Sequence, residues 1–103
     1  MALDDVFISY AREDRASAQA LAAALKADGM AVWWDRDLGA GADFSAEIEH
    51  RLAAARVVVV LWSRPAVVSD FVRDEATRAL EADKLLPLRI EDVKPPIGFG
   101  MRH

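Results

Sequence analysis

The sequence predicts an α/β fold with a doubly wound parallel sheet. Its clearest strand is the unbroken apolar run Val57–Trp62, which is rich in β-branched residues. Such a run is typical of a strand that is buried on both faces, as central parallel strands are. Shorter apolar runs alternate with segments of helical periodicity along the rest of the chain. Alternation with short links predicts right-handed crossovers and helices on both faces of the sheet.

The chain opens with a strand and a helix. Residues 6–8 form a short apolar strand, and the polar residues 11–14 predict a loop. Asp14 is a good N-cap for the helix that follows. Over residues 15–28 small and apolar side chains recur at helical spacing, and Gly29 is a typical C-terminal stop.

A second strand and a charged loop follow. Residues 30–34 predict a buried strand, in which alternation points the rings of Trp33 and Trp34 to opposite faces of the sheet. Core packing explains both rings, although Trp34, at the strand end, can reach a crevice at the sheet edge. Residues 35–43 contain two glycines among charged residues and predict a loop.

Two further helices frame the central strand. Ser45 is a candidate cap for the second helix, and Ser69 or Asp70 for the third, which we expect to end near residue 82. Helical spacing predicts that the second helix turns three residues toward the core, namely Ile48, Leu52 and Ala55.

The fourth strand is predicted at residues 85–90, where Pro87 removes one hydrogen-bond donor and favours either an edge position or an irregular strand. The order βαβαβαβ indicates a flavodoxin-like arrangement with four visible strands. We expect a single domain over residues 1–103 that lacks a C-terminal strand and helix.

Composition excludes several classes of function. The net charge of −4 gives no electrostatic basis for nucleic-acid binding. The chain has no cysteine, so disulfide and thiolate chemistry are excluded. No signal peptide is visible, and no apolar run approaches the roughly 20 residues of a membrane helix. We therefore expect a cytoplasmic domain that does not bind membranes.

Polar and aromatic residues converge at one edge of the predicted sheet. In parallel sheets the ligand crevice lies outside the carboxyl ends of the strands. Phe71 and Glu75 lie four residues apart and share one face of the third helix. One cation, two carboxylates and two aromatic rings suit a polar ligand with a flat ring. The residues expected to converge are Arg12, Asp35, Phe44, Ser63, Phe71 and Glu75.

An alternative interpretation of the third helix requires no site. Phe71 would then pack in the core, and Glu75 would be a solvated helix charge. This is the commoner situation for an aromatic residue and a glutamate on a helix.

The sequence lacks the residues that three other kinds of functional site require. A phosphate-receiver domain needs an Asp at the end of its third strand, where this chain has Trp62 and Ser63. A redox dinucleotide site needs G-x-G-x-x-G after the first strand, and residues 9–14 contain no glycine. His50 and His103 supply no set of three or four metal ligands, so we expect no metal.

Four motifs resemble those of TIR (Toll/interleukin-1 receptor/resistance) domains. Residues 5–10 (DVFISY) look like the first signature box, and residues 36–41 (RDLGAG) are similar to the second box, the BB loop. Residues 69–75 (SDFVRDE) resemble the S-x-W-x-x-x-E stretch, and residues 93–99 resemble the proline-rich segment after the fourth strand. The resemblance covers nearly the whole chain, in the right order and spacing. The alanine-rich, cysteine-free, low-lysine composition favours a TIR domain of bacterial type.

The resemblance implies one of two functions. Many bacterial and plant TIR domains cleave NAD+ at the nicotinamide–ribose bond, and others are non-catalytic adaptors that associate with like domains. In the enzymes the residue matching Glu75 is catalytic, which favours an NAD+ glycohydrolase with NAD+ as substrate and no cofactor. Arg12 and Phe44 match NAD-contacting positions. With the crevice residues, the expected substrate-binding set is Ser9, Tyr10, Arg12, Trp34, Asp35, Phe44, Ser63 and Phe71.

Cleavage of the nicotinamide–ribose bond requires only one catalytic carboxylate. Nicotinamide leaves as a neutral molecule, so no general acid is needed, and positive charge develops on the ribose. A carboxylate near that sugar stabilises such a transition state. One departure from the family pattern is Phe71, which stands in the place of a tryptophan and lacks its N–H donor.

The resemblance also implies self-association. A neighbouring protomer helps to complete the site in active TIR enzymes, and the flexible second box is the natural interaction loop. We expect this module to be the effector of a bacterial immune or signalling protein, fused to a sensor domain. The loop residues are Arg36, Asp37, Leu38, Gly39, Ala40 and Gly41.

Overall fold

The structure is a computed structural model that describes residues 5–34 and 44–93, with the backbone alone of residues 44 and 45. Strands and helices alternate along it, as the sequence predicts. The strands are β1 (Val6–Ser9), β2 (Val32–Trp33), β3 (Val57–Trp62) and β4 (Leu85–Arg89). The helices are α1 (Arg15–Ala27), α2 (Phe44–Ala54), α3 (Arg64–Val67) and α4 (Asp70–Glu81).

The four strands form one parallel sheet in the order β2-β1-β3-β4. The chain thus starts near the middle of the sheet, moves to one edge, and returns past β1 to the other edge. This order confirms the predicted flavodoxin-like, doubly wound arrangement. The point where the strand order reverses lies between β1 and β3, at whose carboxyl ends such folds bind ligands.

The core consists of two buried clusters, one on each face of the sheet. Phe7 packs with residues of α2, α3 and α4, whereas its neighbour Ile8 packs with residues of α1. Trp33 stacks on Phe7, with ring centroids 5.2 Å apart, while Trp34 packs in the α1 cluster. The predicted division of the two tryptophan rings between the faces is therefore confirmed.

The second strand is shorter than predicted because the end of α1 takes up its first residues. The N–H of Gly29 donates to Lys26 and that of Met30 to Leu25, which is the Schellman pattern. Gly29 adopts a φ of 90°, a conformation that favours glycine. As a result β2 pairs with β1 only through Val32 and Trp33.

The connections after β1 and β3 also differ from the prediction. Residues 12–14 form a 3₁₀ turn, not an open loop. Asp14 occupies the N-cap position of α1, but its side chain makes no capping hydrogen bond. Its carboxylate instead accepts from the Ser63 hydroxyl. The short helix α3 was not predicted, although Pro65 in its first turn and Ser63 as its cap are ordinary start signals.

Helices α2 and α4 largely follow the prediction. Ile48, Leu52 and Ala55 are buried as expected. The helix α2 begins at Phe44, so Ser45 lies in its first turn and not at its cap. The hydroxyl of Ser69 caps α4 by accepting from the N–H of Val72 at 3.3 Å.

Strand β4 is an edge strand among the described strands, as Pro87 predicts. The N–H of Val58 donates to the carbonyl of Lys84, and the N–H of Ile90 donates to that of Trp62. Because the bonding groups of a strand alternate in direction, Leu86 and Leu88 also point theirs at β3, whereas Pro87 faces the outer edge. The missing proline donor therefore costs the sheet no hydrogen bond.

Candidate functional site

Glu75 is a buried carboxylate on α4, with 3% of its surface exposed. Its Oε1 accepts a hydrogen bond of 2.6 Å from the hydroxyl of Ser9, which is fully buried. Ser9 is the last residue of β1, and Glu75 lies in the second turn of α4. The bond therefore joins a central strand to a helix at the carboxyl edge of the sheet, where parallel α/β folds place their ligands.

Strand alternation explains why Ser9 reaches Glu75. Phe7 and Ser9 point to the same face of the sheet, the one that α2 and α4 cover. A hydrogen bond to a charged group contributes about 1.5–3 kcal/mol, and burial of an unbonded carboxylate is costly. The hydroxyl therefore fixes the rotamer of Glu75 and offsets part of the cost of its burial.

An open groove of about 250 Å³ lies between α2 and α4, and Glu75 lines it. The floor is apolar where α2 contributes Ile48 and Leu52. The rim is charged, with Glu49 from α2 and Asp74 and Arg78 from α4. A buried carboxylate thus has access to a space that could hold a small molecule.

The ring of Phe71 also lines this groove and is 45% exposed. The alternative interpretation of α4, with Phe71 in the core and Glu75 in solvent, is therefore contradicted for both residues. The two share a face of the helix as predicted, but it is the glutamate that is buried. An exposed aromatic face beside a buried carboxylate can stack on a flat ligand ring.

Sequence reasoning missed the charged rim of the groove. Arg78 donates from Nη1 to the Glu49 carboxylate, and its Nε lies 3.5 Å from Oδ2 of Asp74. The hydrogen bond with Glu49 is the largest cause of the raised pKa of Arg78. The signal was present, since positions 71, 74, 75 and 78 have the i, i+3, i+4, i+7 spacing of one helix face.

Two predicted residues lie at the same sheet edge but outside the described lining of the groove. Ser63 donates its hydroxyl hydrogen to Asp14, and its oxygen accepts from the N–H of Ala66 at 3.2 Å. It therefore joins the end of β3 to the start of α1. Arg12 is exposed in the 3₁₀ turn.

Tyr10 and Trp34 lie on the opposite face of the sheet, in the α1 cluster. Their ring centroids are 6.3 Å apart, and the Arg15 guanidinium lies 5.1 Å from the centroid of Trp34. Neither aromatic residue lines the described groove. Their predicted contact with a substrate stays a prediction, as do the roles of Asp35, the Phe44 side chain and the 36–41 loop, which fall outside the described residues.

Comparison with known proteins now assigns the family. A family model for the TIR domain matches residues 6–103. The chain belongs to the TIR domain family. No curated protein sequence gives a significant match. The resemblance of the four motifs is therefore confirmed at the level of the family.

A solved structure supports the fold of this TIR domain. It is similar to the crystal structure of the TIR domain of the Toll-related receptor TRR-2 from Hydra magnipapillata, with a TM-score of 0.81. The alignment covers 91% of this chain and 76% of that chain, at 20% sequence identity. At this identity the match establishes the fold alone. Within residues 5–34 and 44–93, no helix is long and apolar enough to span a membrane.

Proposed function

We propose that this TIR domain is an NAD+ glycohydrolase that cleaves the nicotinamide–ribose bond. The observation that carries the proposal is the placement of Glu75. Its carboxylate is buried, oriented by Ser9, and borders a groove that also exposes the ring of Phe71. The alignment of residues 69–75 with the family's S-x-W-x-x-x-E stretch adds to this placement.

The proposed reaction needs one carboxylate and one water molecule. The bond between C1′ of the ribose and the pyridinium nitrogen breaks, and its electron pair leaves with neutral nicotinamide. Water adds to C1′ and releases a proton, which gives ADP-ribose. Glu75 stabilises the positive charge that develops on the sugar.

The proposal includes activation by self-association, because TIR domains generally interact with other TIR domains. In a larger protein, an attached sensor would bring copies of this domain together. The experiment below therefore presents the domain both in solution and crowded on a surface.

The test is nicotinamide release from NAD+, followed by chromatography, for the wild type and for Glu75→Gln. We expect Glu75→Gln to lower the rate at least a hundredfold, as loss of one electrostatic group commonly does. The matched control is Glu81→Gln, which removes an exposed carboxylate from the same helix and should leave the rate unchanged. Equal rates for the wild type and a folded Glu75→Gln variant would remove Glu75 from the mechanism.

A non-catalytic interaction module is the second candidate function. The observation in its favour is the same hydrogen bond, since a buried Ser9–Glu75 pair also serves as a structural link between β1 and α4. One measurement, nicotinamide release from crowded domains, distinguishes the two functions. If crowding brings the domains together and no nicotinamide appears, the adaptor function is supported.

A further inference from the structure

Two serine–carboxylate hydrogen bonds connect the same two segments of the chain. One runs from the Ser9 hydroxyl, at the end of β1, to the Glu75 carboxylate on α4. The other runs in the opposite sense, from the Ser63 hydroxyl, directly after β3, to the Asp14 carboxylate in the turn that follows β1. The strands β1 and β3 are hydrogen-bonded neighbours, so both bonds lie at one carboxyl edge. The segment after β1 is thus attached to the segment after β3 at two points.

The Ser63 hydroxyl is a junction inside the protein. Ser63 is fully buried, and its hydroxyl donates to Asp14 while it accepts from the N–H of Ala66 at 3.2 Å. One hydroxyl therefore joins the turn before α1 to the first turn of α3. Since a serine has a single hydrogen to donate, a role in positioning fits these bonds better than the substrate contact that the sequence predicts.

The position of α3 determines where α4 begins. Only Val68 and Ser69 separate the two helices, and the N–H of Ser69 donates to the carbonyl of Ala66 in α3 at 3.0 Å. Phe71 and Glu75 follow in the first two turns of α4. A displacement of α3 therefore moves the end of the helix that carries both residues. A misplacement of about 1 Å at a reacting centre can lower a rate by about a hundredfold.

We propose that Asp14 is a positioning residue for Glu75 and that it acts through Ser63 and α3. The inference rests on the proposed function for the reaction in which Glu75 takes part. It adds that the orientation of this carboxylate requires both attachments between the two segments, of which the bond from Ser9 is only one.

The kinetic experiment measures nicotinamide release by Asp14→Ala over a range of NAD+ concentrations. We expect kcat to fall by at least about tenfold while KM changes by less than about twofold, because the misplaced carboxylate stabilises the transition state less. Asp14→Asn should restore kcat to within about threefold of the wild type, since its amide oxygen can accept from Ser63. A raised KM at constant kcat, or no change in either, would overturn the inference.

The partner variant Ser63→Ala tests whether Asp14 acts through this hydroxyl. We expect the double variant Asp14→Ala/Ser63→Ala to be no slower than Ser63→Ala alone, because the two side chains share one bond. Losses in kcat that add up would overturn the proposed route. The variants should fold, since the start of α3 keeps a second attachment, from the N–H of Arg64 to the Glu91 carboxylate at 2.8 Å.

A second readout does not depend on turnover. The ¹³C resonance of the Glu75 side-chain carboxyl reports its hydrogen bond with Ser9. We expect Asp14→Ala to shift this resonance in the same direction as Ser9→Ala does, and Asp14→Asn to leave it near the wild-type position. An unchanged resonance in a folded Asp14→Ala variant would overturn the inference.

Asp5→Ala is the matched control, because the Asp5 carboxylate accepts from the N–H of Ala31 at 3.1 Å just before the other end of β1. Its loss should lower stability and leave kcat and the Glu75 resonance unchanged. If Asp5→Ala reproduced both changes, general loosening of the fold would explain them and the inference would be wrong.

The two readouts separate this inference from the proposed function. A Glu75 resonance that shifts in Asp14→Ala, in a protein that releases no nicotinamide in solution or on a crowded surface, would overturn the proposed activity alone. Nicotinamide release with the same kcat in the wild type and in Asp14→Ala would overturn the positioning role alone.

Discussion

The two faces of the sheet differ at the carboxyl edge, although their residues are neighbours in the sequence. Ser9 reaches Glu75 under α4, whereas Tyr10, the next residue, packs with Trp34 under α1. The α4 face holds a buried carboxylate that borders a groove. The α1 face holds an aromatic pair covered by the Arg15 guanidinium. One predicted crevice thus consists of a polar region and an aromatic region that the sheet separates.

The difference follows from the two-residue period of a strand. A one-residue shift in register would exchange the partners of Ser9 and Tyr10, and would bury a phenol beside α4 in place of a hydroxyl that suits a carboxylate. The register of β1 against β3 is fixed through four residue pairs, from Val6–Val57 to Ser9–Val60. The chemistry of the site therefore depends on the sheet register as well as on residue identity.

After Glu75→Gln, the largest effect expected on the α4 face is that of Ser9→Ala. Loss of the hydroxyl leaves the Glu75 carboxylate without its 2.6 Å donor, so we expect a ten- to hundredfold lower rate of nicotinamide release and a loss of about 1–3 kcal/mol in the free energy of unfolding. Rates come from chromatography and stability from urea denaturation. The control is Ser17→Ala, an exposed serine on α1. An unchanged rate in Ser9→Ala would show that Ser9 does not position Glu75.

A second prediction concerns the stability of the α4 face. Lys84 donates from Nζ to the carbonyls of Leu52, Ala53 and Ala55, at 2.8, 3.1 and 2.9 Å, at the end of α2. We expect Lys84→Met to lower the free energy of unfolding by about 1–2 kcal/mol, because these carbonyls lose a charged donor.

The measurement is urea denaturation beside Lys26→Met, which alters an exposed lysine near the end of α1. We expect the Lys26 variant to stay within about 0.5 kcal/mol of the wild type. Equal stability of the two variants would contradict a capping role for Lys84.

The smallest effect is expected on the α1 face. Arg15→Gln removes the cation over the ring of Trp34 and should cost about 0.5–1 kcal/mol of stability, with no change in nicotinamide release. Thermal denaturation and the same chromatographic assay measure the two quantities. A tenfold drop in rate would show that the two faces act as one site.

The sequence was sufficient to predict the order of elements and the strand topology, because buried strands and amphipathic helices have distinct periods. It was also sufficient to place Phe71 and Glu75 on one helix face. It could not show which of the two is buried, because a helix pattern gives the relative direction of side chains but not their depth. The hydrogen-bond partner of the buried Glu75 is Ser9, 66 positions away in the chain, so no pattern within the helix contains it.

The short helix and the groove rim were missed for related reasons. Pro65 follows the predicted central strand by three positions, where a proline suits the end of a strand and the first turn of a helix equally well. No role was predicted for Glu49 or Arg78, because nothing in either helix alone shows that the two charges meet. Such pairs are decided by the packing of α2 against α4, which no local pattern contains.

The end of α4 has a mechanical consequence for the site. Asp83, with a φ of 58°, closes a Schellman turn in which the N–H of Lys84 donates to Ala79, so the position of the lysine backbone is set by the helix before it. Its side chain then holds the last turn of α2. The C-terminal end of α2 is thereby held in place, and its N-terminal end at Phe44 follows the predicted interaction loop closely in the sequence. Any rotation of α2 about its C-terminal end changes the width of the groove most near Ile48 and Glu49, which lie farther from the Lys84 contacts than Leu52 does.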